Sequence, residues 1–191
     1  MSSKHGMQEI TWHGRGGQGA ITGAQLLAEI ALLEGIEDSL SIPIIGAERR
    51  GAPIRAFTRL SNQEIKIYSE VKNPDIVLIF DDTLVPLPGV AYGIENCKFI
   101  INTARDLDFE KFAKSTEVYT VDATGISLKL DLKISGDPVL NVPMLGAFAK
   151  VTGQIKLETI NEVIKENFGE KIAARNFAAA QEAYKQVKRV K

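Results

Sequence analysis

The chain has 191 residues, with 23 basic against 24 acidic side chains and a formal net charge of -1. A chain of this length can form one domain with a core that needs no disulfide or metal. The balanced charge provides no general attraction to nucleic acid or to an anionic membrane, so we expect neither as a partner. The single cysteine, Cys97, excludes an intrachain disulfide, an iron–sulfur cluster or a cysteine-rich zinc site built by this chain alone.

The start of the chain is polar, and no apolar run approaches the roughly 20 residues that span a bilayer. Because residues 1–8 lack the apolar core of a signal peptide, we predict a cytoplasmic protein. We interpret residues 1–8 as a disordered or extended leader and residues 9–191 as a single domain.

The first half of the chain alternates between β-prone and helical patterns. Apolar residues at i, i+3 and i+4 favour a helix over 21–33, with Gly35 as its C-cap. The run of five apolar residues over 76–80 indicates a strand that is covered on both faces. Strands are predicted over 9–13, 39–45, 54–60, 65–71 and 75–80, with 54–60 and 65–71 joined as an antiparallel hairpin.

The second half continues with strands over 98–102 and 117–122, separated by a short amphipathic segment over 109–113. Helices are predicted over 142–151, 157–167 and 170–190, with Gly153 and Gly169 between them. Together these elements predict an α/β fold, a three-layer α/β/α domain with a mixed, mostly parallel sheet and a helical C-terminal third.

A glycine-rich turn, Gly14-Arg15-Gly16-Gly17-Gln18-Gly19, follows the first predicted strand and opens the first helix. It satisfies the G-x-G-x-x-G pattern of dinucleotide-binding folds. That pattern also needs an acidic residue at the end of the second strand, and the two candidates, Glu37 and Asp38, precede that strand. Two other interpretations stay open. The N–H groups of Gly16, Gly17 and Gln18 could hold a phosphate-type anion beside Arg15, or the glycines could simply pack the helix on the sheet.

Three further features carry polar side chains. The charges of Glu48, Arg49 and Arg50 before a proline could form a solvated loop or a docking surface. Asp81 and Asp82 follow the buried strand, where carboxylates can bind magnesium or act in acid–base catalysis, although without a third partner a capping or turn role is favoured. We assign no catalytic partner to His13, and we interpret Cys97 as a small buried apolar residue.

Several motifs together carry a resemblance to a known family. Residues 13–20 (HGRGGQGA) are followed by 46–53 (GAERRGAP), by Asn73-Pro74-Asp75 and by 141–147 (NVPMLGA). In this order and spacing they resemble the gamma subunit of 2-oxoacid:ferredoxin oxidoreductases, pyruvate:ferredoxin oxidoreductase in particular. The resemblance implies a complex that converts a 2-oxoacid and coenzyme A to acyl-CoA and carbon dioxide and passes the electrons to ferredoxin.

The same resemblance implies how the work is divided in the complex. Thiamine diphosphate, Mg and [4Fe-4S] clusters are expected on the alpha, beta and delta subunits, so this chain is not catalytic alone. Its glycine turn, with Arg15, Gly16, Gly17, Gln18 and Gly19, is a candidate site for the phosphates of coenzyme A. Glu48, Arg49 and Arg50 become candidate interface residues. The alternatives are a 2-oxoglutarate or indolepyruvate oxidoreductase subunit and a freestanding Rossmann-like NAD-binding enzyme.

Overall fold

A computed structural model of the chain describes residues 6–44 and 50–191. Two short 3-10 helices span Asp82–Leu84 and Phe109–Lys111. The other elements in chain order are β1 (Met7–Arg15), α1 (Ala20–Leu33), β2 (Asp38–Ile44), β3 (Pro53–Ser61), β4 (Ile76–Ile79), β5 (Lys98–Asn102), β6 (Glu117–Val121), α2 (Ala123–Lys129), β7 (Lys133–Ile134), β8 (Asp137–Pro138), α3 (Asn141–Thr152), α4 (Leu157–Phe168), α5 (Glu170–Gln186) and β9 (Lys188–Arg189).

Seven of the strands form one mixed sheet in the order β2-β3-β1-β4-β5-β6-β9. The strands from β1 to β6 in this order are parallel, while β2, β3 and β9 pair antiparallel toward the two edges. All four residues of β4 are buried, as expected for a strand with both faces covered. The predicted α/β fold with a mixed sheet is confirmed.

The two faces of the sheet are covered differently. On one face, Trp12, Leu78 and Ile100 belong to a large apolar core that includes residues of all five helices. On the other face, Val77 and Phe99 pack against a smaller cluster drawn from the segments after β4 and β5. The layer on this second face consists of the two 3-10 helices and loops, where the sequence predicted α-helices.

The C-terminal third is helical, as predicted, and its two inner helices are in backbone contact. Gly146 of α3 lies so close to α5 that a Cβ atom at this position would stand 2.1 Å from the carbonyl oxygen of Ala180. Helix backbones can approach this closely only where a side chain is absent, so Gly146 fixes the packing of α3 on α5.

The predicted strand over 65–71 is wrong, and with it the predicted hairpin. β3 already pairs with β1 on one side and with β2 on the other, so it has no free edge for a third strand. Side chains satisfy the backbone of this segment instead. Asp38 accepts the N–H of Ile65 at 2.7 Å, and the Arg59 guanidinium donates to the carbonyl of Ile67 at 3.0 Å.

The predicted helix over 170–190 ends earlier, at Gln186. Lys188 and Arg189 form β9 on the free edge of β6 instead of a last turn of the helix. Lys191 then donates from its ammonium group to the carbonyls of Phe109 and Phe112, at 3.1 and 2.6 Å. Backbone pairing with an open sheet edge has replaced about one turn of helix.

Two elements were missed from the sequence, namely helix α2 and the β7–β8 hairpin. Asp122, interpreted as the end of a strand, is the N-cap of α2 and accepts the N–H of Gly125 at 2.8 Å. The first strand begins at Met7, two residues before the predicted start of the domain. Within residues 6–44 and 50–191, none of the helices has the length and apolar character needed to cross a membrane.

Candidate functional site

The glycine-rich turn is a tight reversal between β1 and α1. Gly17 and Gly19 have φ values of 99° and 86°, in the left-handed region that favours glycine. The Gln18 side chain accepts the N–H of Arg15 at 2.8 Å, and the Gln18 N–H donates to the carbonyl of Arg15 at 3.1 Å. A Cβ at Gly19 would lie 3.3 Å from that of Asn141 in α3. The turn is therefore held from within and packed against the start of α3.

Arg15 does not extend toward the N-terminus of α1. Its Nε donates to Asp81 at 2.9 Å, its Nη1 to the carbonyl of Gly51 at 3.1 Å and its Nη2 to the Thr83 hydroxyl at 2.7 Å. Burial raises the pKa of Asp81, but hydrogen bonds from Thr83 and the nearby Arg15 outweigh it and hold that pKa below its usual range. We call Arg15, Asp81 and Thr83 the Arg15 clamp, since they tie the turn to the end of β4.

The predicted anion nest is only partly available in this arrangement. The N–H of Gly16 donates to the carbonyl of Ala52 at 2.9 Å, and that of Gln18 is used inside the turn. Gly17 has no acceptor for its N–H within the described part of the chain. Two of the three predicted donors are thus engaged. The donors still available to an anion are the N–H of Gly17 and the first N–H groups of α1, whose N-terminus has no side-chain cap.

An open cavity of about 560 Å³ lies against this helix end, and its cation is Arg50 rather than Arg15. Gly16 and Arg50 form an isolated parallel bridge, which brings the second predicted motif next to the glycine turn. The Arg50 guanidinium donates from Nε to Asp137 at 2.8 Å and from Nη2 to the carbonyl of Ser135 at 2.6 Å. With 59% of its side chain exposed, Arg50 reaches solvent at the cavity mouth.

A second cavity of about 620 Å³ continues from the first. We call the two together the basic groove. The walls that both cavities share are Ile134, Val139, Asn141 and Phe168. The second cavity adds three basic side chains, Lys133, Lys171 and Arg175, and one acidic side chain, Asp131.

The charge in the second cavity of the basic groove is only weakly compensated. Asp131 lies 3.9 Å from the Lys133 ammonium and 3.8 Å from the Arg175 guanidinium, and all three side chains are exposed. Such loose surface pairs contribute little to stability and exchange readily with water or a ligand. The exposed apolar side chains Ile134 and Ile172 lie between these charges. The basic groove can therefore accept an elongated ligand that has both anionic and apolar parts.

The geometry argues against the dinucleotide interpretation of the glycine pattern. In dinucleotide-binding folds the acidic residue stands at the end of a parallel strand beside the first. Here β2 lies at the sheet edge, separated from β1 by β3, and it runs antiparallel to β3. The Asp38 carboxylate accepts the backbone N–H of Ile65 and is already used in the fold.

Asp81 and Asp82 have the predicted capping and turn role. Asp81 accepts the N–H of Thr83 at 3.0 Å and caps the 3-10 helix that follows β4. Asp82 accepts the Thr103 hydroxyl at 2.5 Å and pairs with the guanidinium of Arg105. Each carboxylate faces an arginine, so neither is arranged as a magnesium ligand. Among the residues that the structure describes, no group of three or more His, Cys, Asp or Glu side chains could hold a metal ion.

Cys97 is a buried apolar residue, as predicted, with 3% of its surface exposed. Burial and the nearby Asp75 carboxylate raise the pKa of its thiol, which keeps the sulfur protonated and unreactive. His13 is also buried, with 4% of its surface exposed.

Of the predicted interface residues, Glu48 and Arg49 lie outside the described residues. The sequence predicted Arg50 as an interface residue and assigned the cationic role at the glycine turn to Arg15, whereas in the structure Arg50 is the cation beside the cavity. Sequence reasoning missed Lys133, Lys171 and Arg175 altogether. Their positions follow from the β7–β8 hairpin and the start of α5, and no local pattern brings those two segments together. Asn141 was the available signal in the sequence, since it begins the 141–147 motif and lines both cavities.

The fold and this groove define an α/β domain with an open, basic surface at the start of α1. The family model for pyruvate ferredoxin/flavodoxin oxidoreductase matches residues 9–186. The chain belongs to this family, and it is a subunit of a multi-subunit oxidoreductase complex.

Individual relatives match over nearly their whole length. The chain is 42% identical to pyruvate synthase subunit PorC of Methanothermobacter marburgensis, over 95% of this chain and 98% of the relative. It is also 42% identical to the common gamma subunit of the pyruvate and ketoisovalerate oxidoreductases of Pyrococcus furiosus, over 93% and 96%. The crystal structure of the pyruvate oxidoreductase subunit PORC from Thermotoga maritima superposes with a TM-score of 0.81 at 36% identity, covering 97% of this chain and 99% of that one.

Proposed function

We propose that the chain is the gamma subunit of a pyruvate:ferredoxin oxidoreductase. The complex converts pyruvate and coenzyme A to acetyl-CoA and carbon dioxide, with two electrons passed to ferredoxin. The observation that carries this assignment is the match in length. A pyruvate synthase subunit and this chain cover 98% and 95% of one another at 42% identity, so the whole chain corresponds to one subunit.

We propose that the partner chains carry out the chemistry of the reaction. A [4Fe-4S] cluster needs four cysteine thiolates, and this chain has one cysteine, which is buried and protonated. Its donor set therefore does not fit such a cluster. We propose that alpha, beta and delta subunits hold the clusters, the thiamine diphosphate and its magnesium ion, and that ferredoxin accepts the electrons from them.

We also propose that the choice of 2-oxoacid is made by the partner chains. The relative in Pyrococcus furiosus is a gamma subunit common to a pyruvate and a ketoisovalerate enzyme. One gamma subunit serving two substrates supports a role that does not depend on the 2-oxoacid. The names of these relatives favour pyruvate, and they do not favour the 2-oxoglutarate and indolepyruvate alternatives.

The contribution of this chain is to bind coenzyme A at the basic groove. The N–H of Gly17 and the uncapped start of α1 favour a phosphate group, and Arg50 supplies a cation beside them. Lys171 and Arg175 can meet a further phosphate at the other end. The apolar walls between the two ends suit a pantetheine chain. Arg15 belongs to the clamp and takes no part in this binding.

The segment 48–50 is proposed to contact a partner subunit, since arginine is enriched at interfaces and Arg50 is largely exposed. The predicted cytoplasmic location stays a prediction.

The test is reconstitution of the complex with and without this chain. We expect pyruvate-dependent and CoA-dependent reduction of ferredoxin only when all subunits are present, and no activity from the chain alone. Assays with 2-oxoglutarate and ketoisovalerate in place of pyruvate measure the substrate range. Full activity without this chain would contradict the proposal. Tight binding of NAD to the isolated chain, measured by calorimetry, would instead support the freestanding enzyme.

A further inference from the structure

His13 has a buried ring nitrogen that is left without a partner. The residue is 4% exposed, and within the described part of the chain Nε2 has no hydrogen-bond partner. The hydroxyl of Thr11, two residues earlier on the same face of β1, also lacks one. Buried polar groups in folded proteins are nearly always hydrogen-bonded, so this imidazole has a hydrogen-bonding position that the described residues leave open.

His13 lies at the base of a cavity of about 330 Å³, on the side of the sheet away from α1. Arg55 of β3 stands directly opposite His13, and Ile44 of β2 stands opposite Arg55, so the three side chains share one face. The segment after β4 forms the facing wall. The remaining lining residues are almost all apolar: Pro53, Ile54, Leu84, Leu87, Pro88, Gly89 and Val90.

The cavity carries a positive charge that is loosely held. The Arg55 guanidinium lies 3.6 Å from the Glu70 carboxylate, and about half of each side chain is exposed. No acidic residue lines the cavity among the residues that the structure describes. Burial, with a further contribution from Arg55, lowers the pKa of His13 to about 4, so its imidazole is neutral near pH 7. A neutral imidazole can donate one hydrogen bond without adding a second charge.

We propose that this cavity binds a carboxylate that is attached to a short aliphatic group. The Arg55 guanidinium pairs with the carboxylate, the His13 imidazole donates a second hydrogen bond to it, and the apolar walls contact the aliphatic part. A guanidinium matches the planar carboxylate, and one cation balances its single charge, whereas a phosphate would require more. The inference does not depend on the proposed function.

The carboxylate can come from a free small acid or from an acidic side chain of a partner subunit. Both present the same chemistry to His13 and Arg55, and the cavity holds either. The two sources differ in whether the cavity is filled before any acid is added.

The first test uses the full chain with ¹³C-labelled histidine in the His5→Gln variant, so that His13 gives the single imidazole signal. The probe is isobutyrate, and isobutyramide is its uncharged control of the same shape. We expect a saturable shift of the His13 signal with isobutyrate and a rise of its pKa by about one unit or more. No saturable shift is expected with isobutyramide. An absent response, or an equal response to both probes, would overturn the proposal.

Two variants make this test specific. Arg55→Gln removes the cation and is expected to abolish the saturable shift. Leu87→Trp fills the cavity from the opposite wall, where Leu87 is 40% exposed, and is expected to do the same. Because the second variant keeps Arg55, it remains informative if the first fails to fold. Binding that persists in a folded form of either variant would contradict the assigned site.

The second test uses the assembled complex with only this chain labelled. A pKa of His13 already raised well above about 4 before any addition identifies a partner carboxylate. A pKa near 4 that rises with isobutyrate identifies a free acid. A pKa near 4 that does not respond to isobutyrate overturns the proposal for the assembled protein.

Discussion

Two arginines flank the glycine turn, and they differ in what surrounds them. Arg15 donates to three partners, and its ion pair with Asp81 is largely shielded from solvent. Arg50 donates to Asp137 and Ser135, but its guanidinium is mostly exposed beside an open cavity. The Arg15–Asp81 pair is partly buried, like a core contact. Arg50, in contrast, can exchange Asp137 for a ligand at little cost in free energy. Position in a glycine motif therefore does not make an arginine an anion ligand.

The difference comes from the alternation of side chains along β1. Trp12 belongs to the core on the α1 side of the sheet. Because side chains alternate along a strand, His13 and Arg15 both lie on the opposite face. That places Arg15 away from the helix N-terminus, beside the carboxyl end of β4. The Arg15 clamp on this face affects stability, while the end of α1 with Arg50 is open and affects the proposed binding of coenzyme A.

The largest expected effect is the pH dependence that buried His13 gives to the free energy of unfolding. The pKa of His13 is lowered from 6.5 to about 4, chiefly by burial, so the unfolded chain binds a proton in this range that the folded chain does not. The stability from this group is present above pH 6.5 and falls as the pH drops toward 4. We expect the free energy of unfolding to decrease by about 2 to 3 kcal/mol between pH 7.5 and 4.5 from this group alone.

Urea unfolding of the wild type and of His13→Phe at both pH values measures this term as the difference between their pH dependences. Both proteins carry the remaining titratable groups, which cancel in the comparison. Equal pH dependence in the two proteins would show that His13 is not held neutral by burial.

The next effect tests the Arg15 clamp. Arg15→Ala leaves the Asp81 carboxylate without its guanidinium and removes two further hydrogen bonds. We expect a loss of about 2 kcal/mol in the free energy of unfolding, with the KM for coenzyme A unchanged. A double-mutant cycle with Asp81→Asn isolates the pair. A raised KM at unchanged stability would indicate that Arg15 contacts coenzyme A.

A smaller effect tests the open side. Arg50→Ala removes an exposed ion pair, so we expect stability to change by less than about 1 kcal/mol. In the reconstituted complex we expect the KM for coenzyme A to rise about three- to tenfold, because a cation beside the phosphate is lost. Arg105→Ala is the matched control, since this exposed arginine pairs with Asp82 outside the basic groove. Equal effects of the two variants on KM would count against the basic groove.

The smallest effect concerns the far end of the basic groove. Lys171→Ala removes one of its three basic side chains, and we expect a rise in KM of about twofold that disappears at high salt. Steady-state assays at low and high ionic strength measure it against Lys114→Ala, an exposed lysine outside the basic groove. A salt-independent change would indicate an altered fold rather than a lost charge.

Several parts of the fold were predictable because the signal is local. The continuous apolar run of β4, the periodic pattern of α1 and the glycines after α3 and α4 fix their elements from neighbouring residues alone. The strand over 65–71 failed because its β-prone residues meet a β3 whose edges are both occupied. The predicted end of α5 was wrong for the opposite reason, since the free edge of β6 pairs with the residues that follow Gln186.

The sequence by itself determined the family, the strand–turn–helix at the glycine motif and the inability of one cysteine to hold a cluster, because these depend on residue identity and spacing. The tertiary structure decided which arginine faces the basic groove and which belongs to the clamp. It also brought Lys133, Lys171 and Arg175 to the same groove and left His13 beside Arg55 over a cavity. These outcomes depend on strand order and on which face of β1 each side chain occupies, and both are set by contacts between residues far apart in the chain.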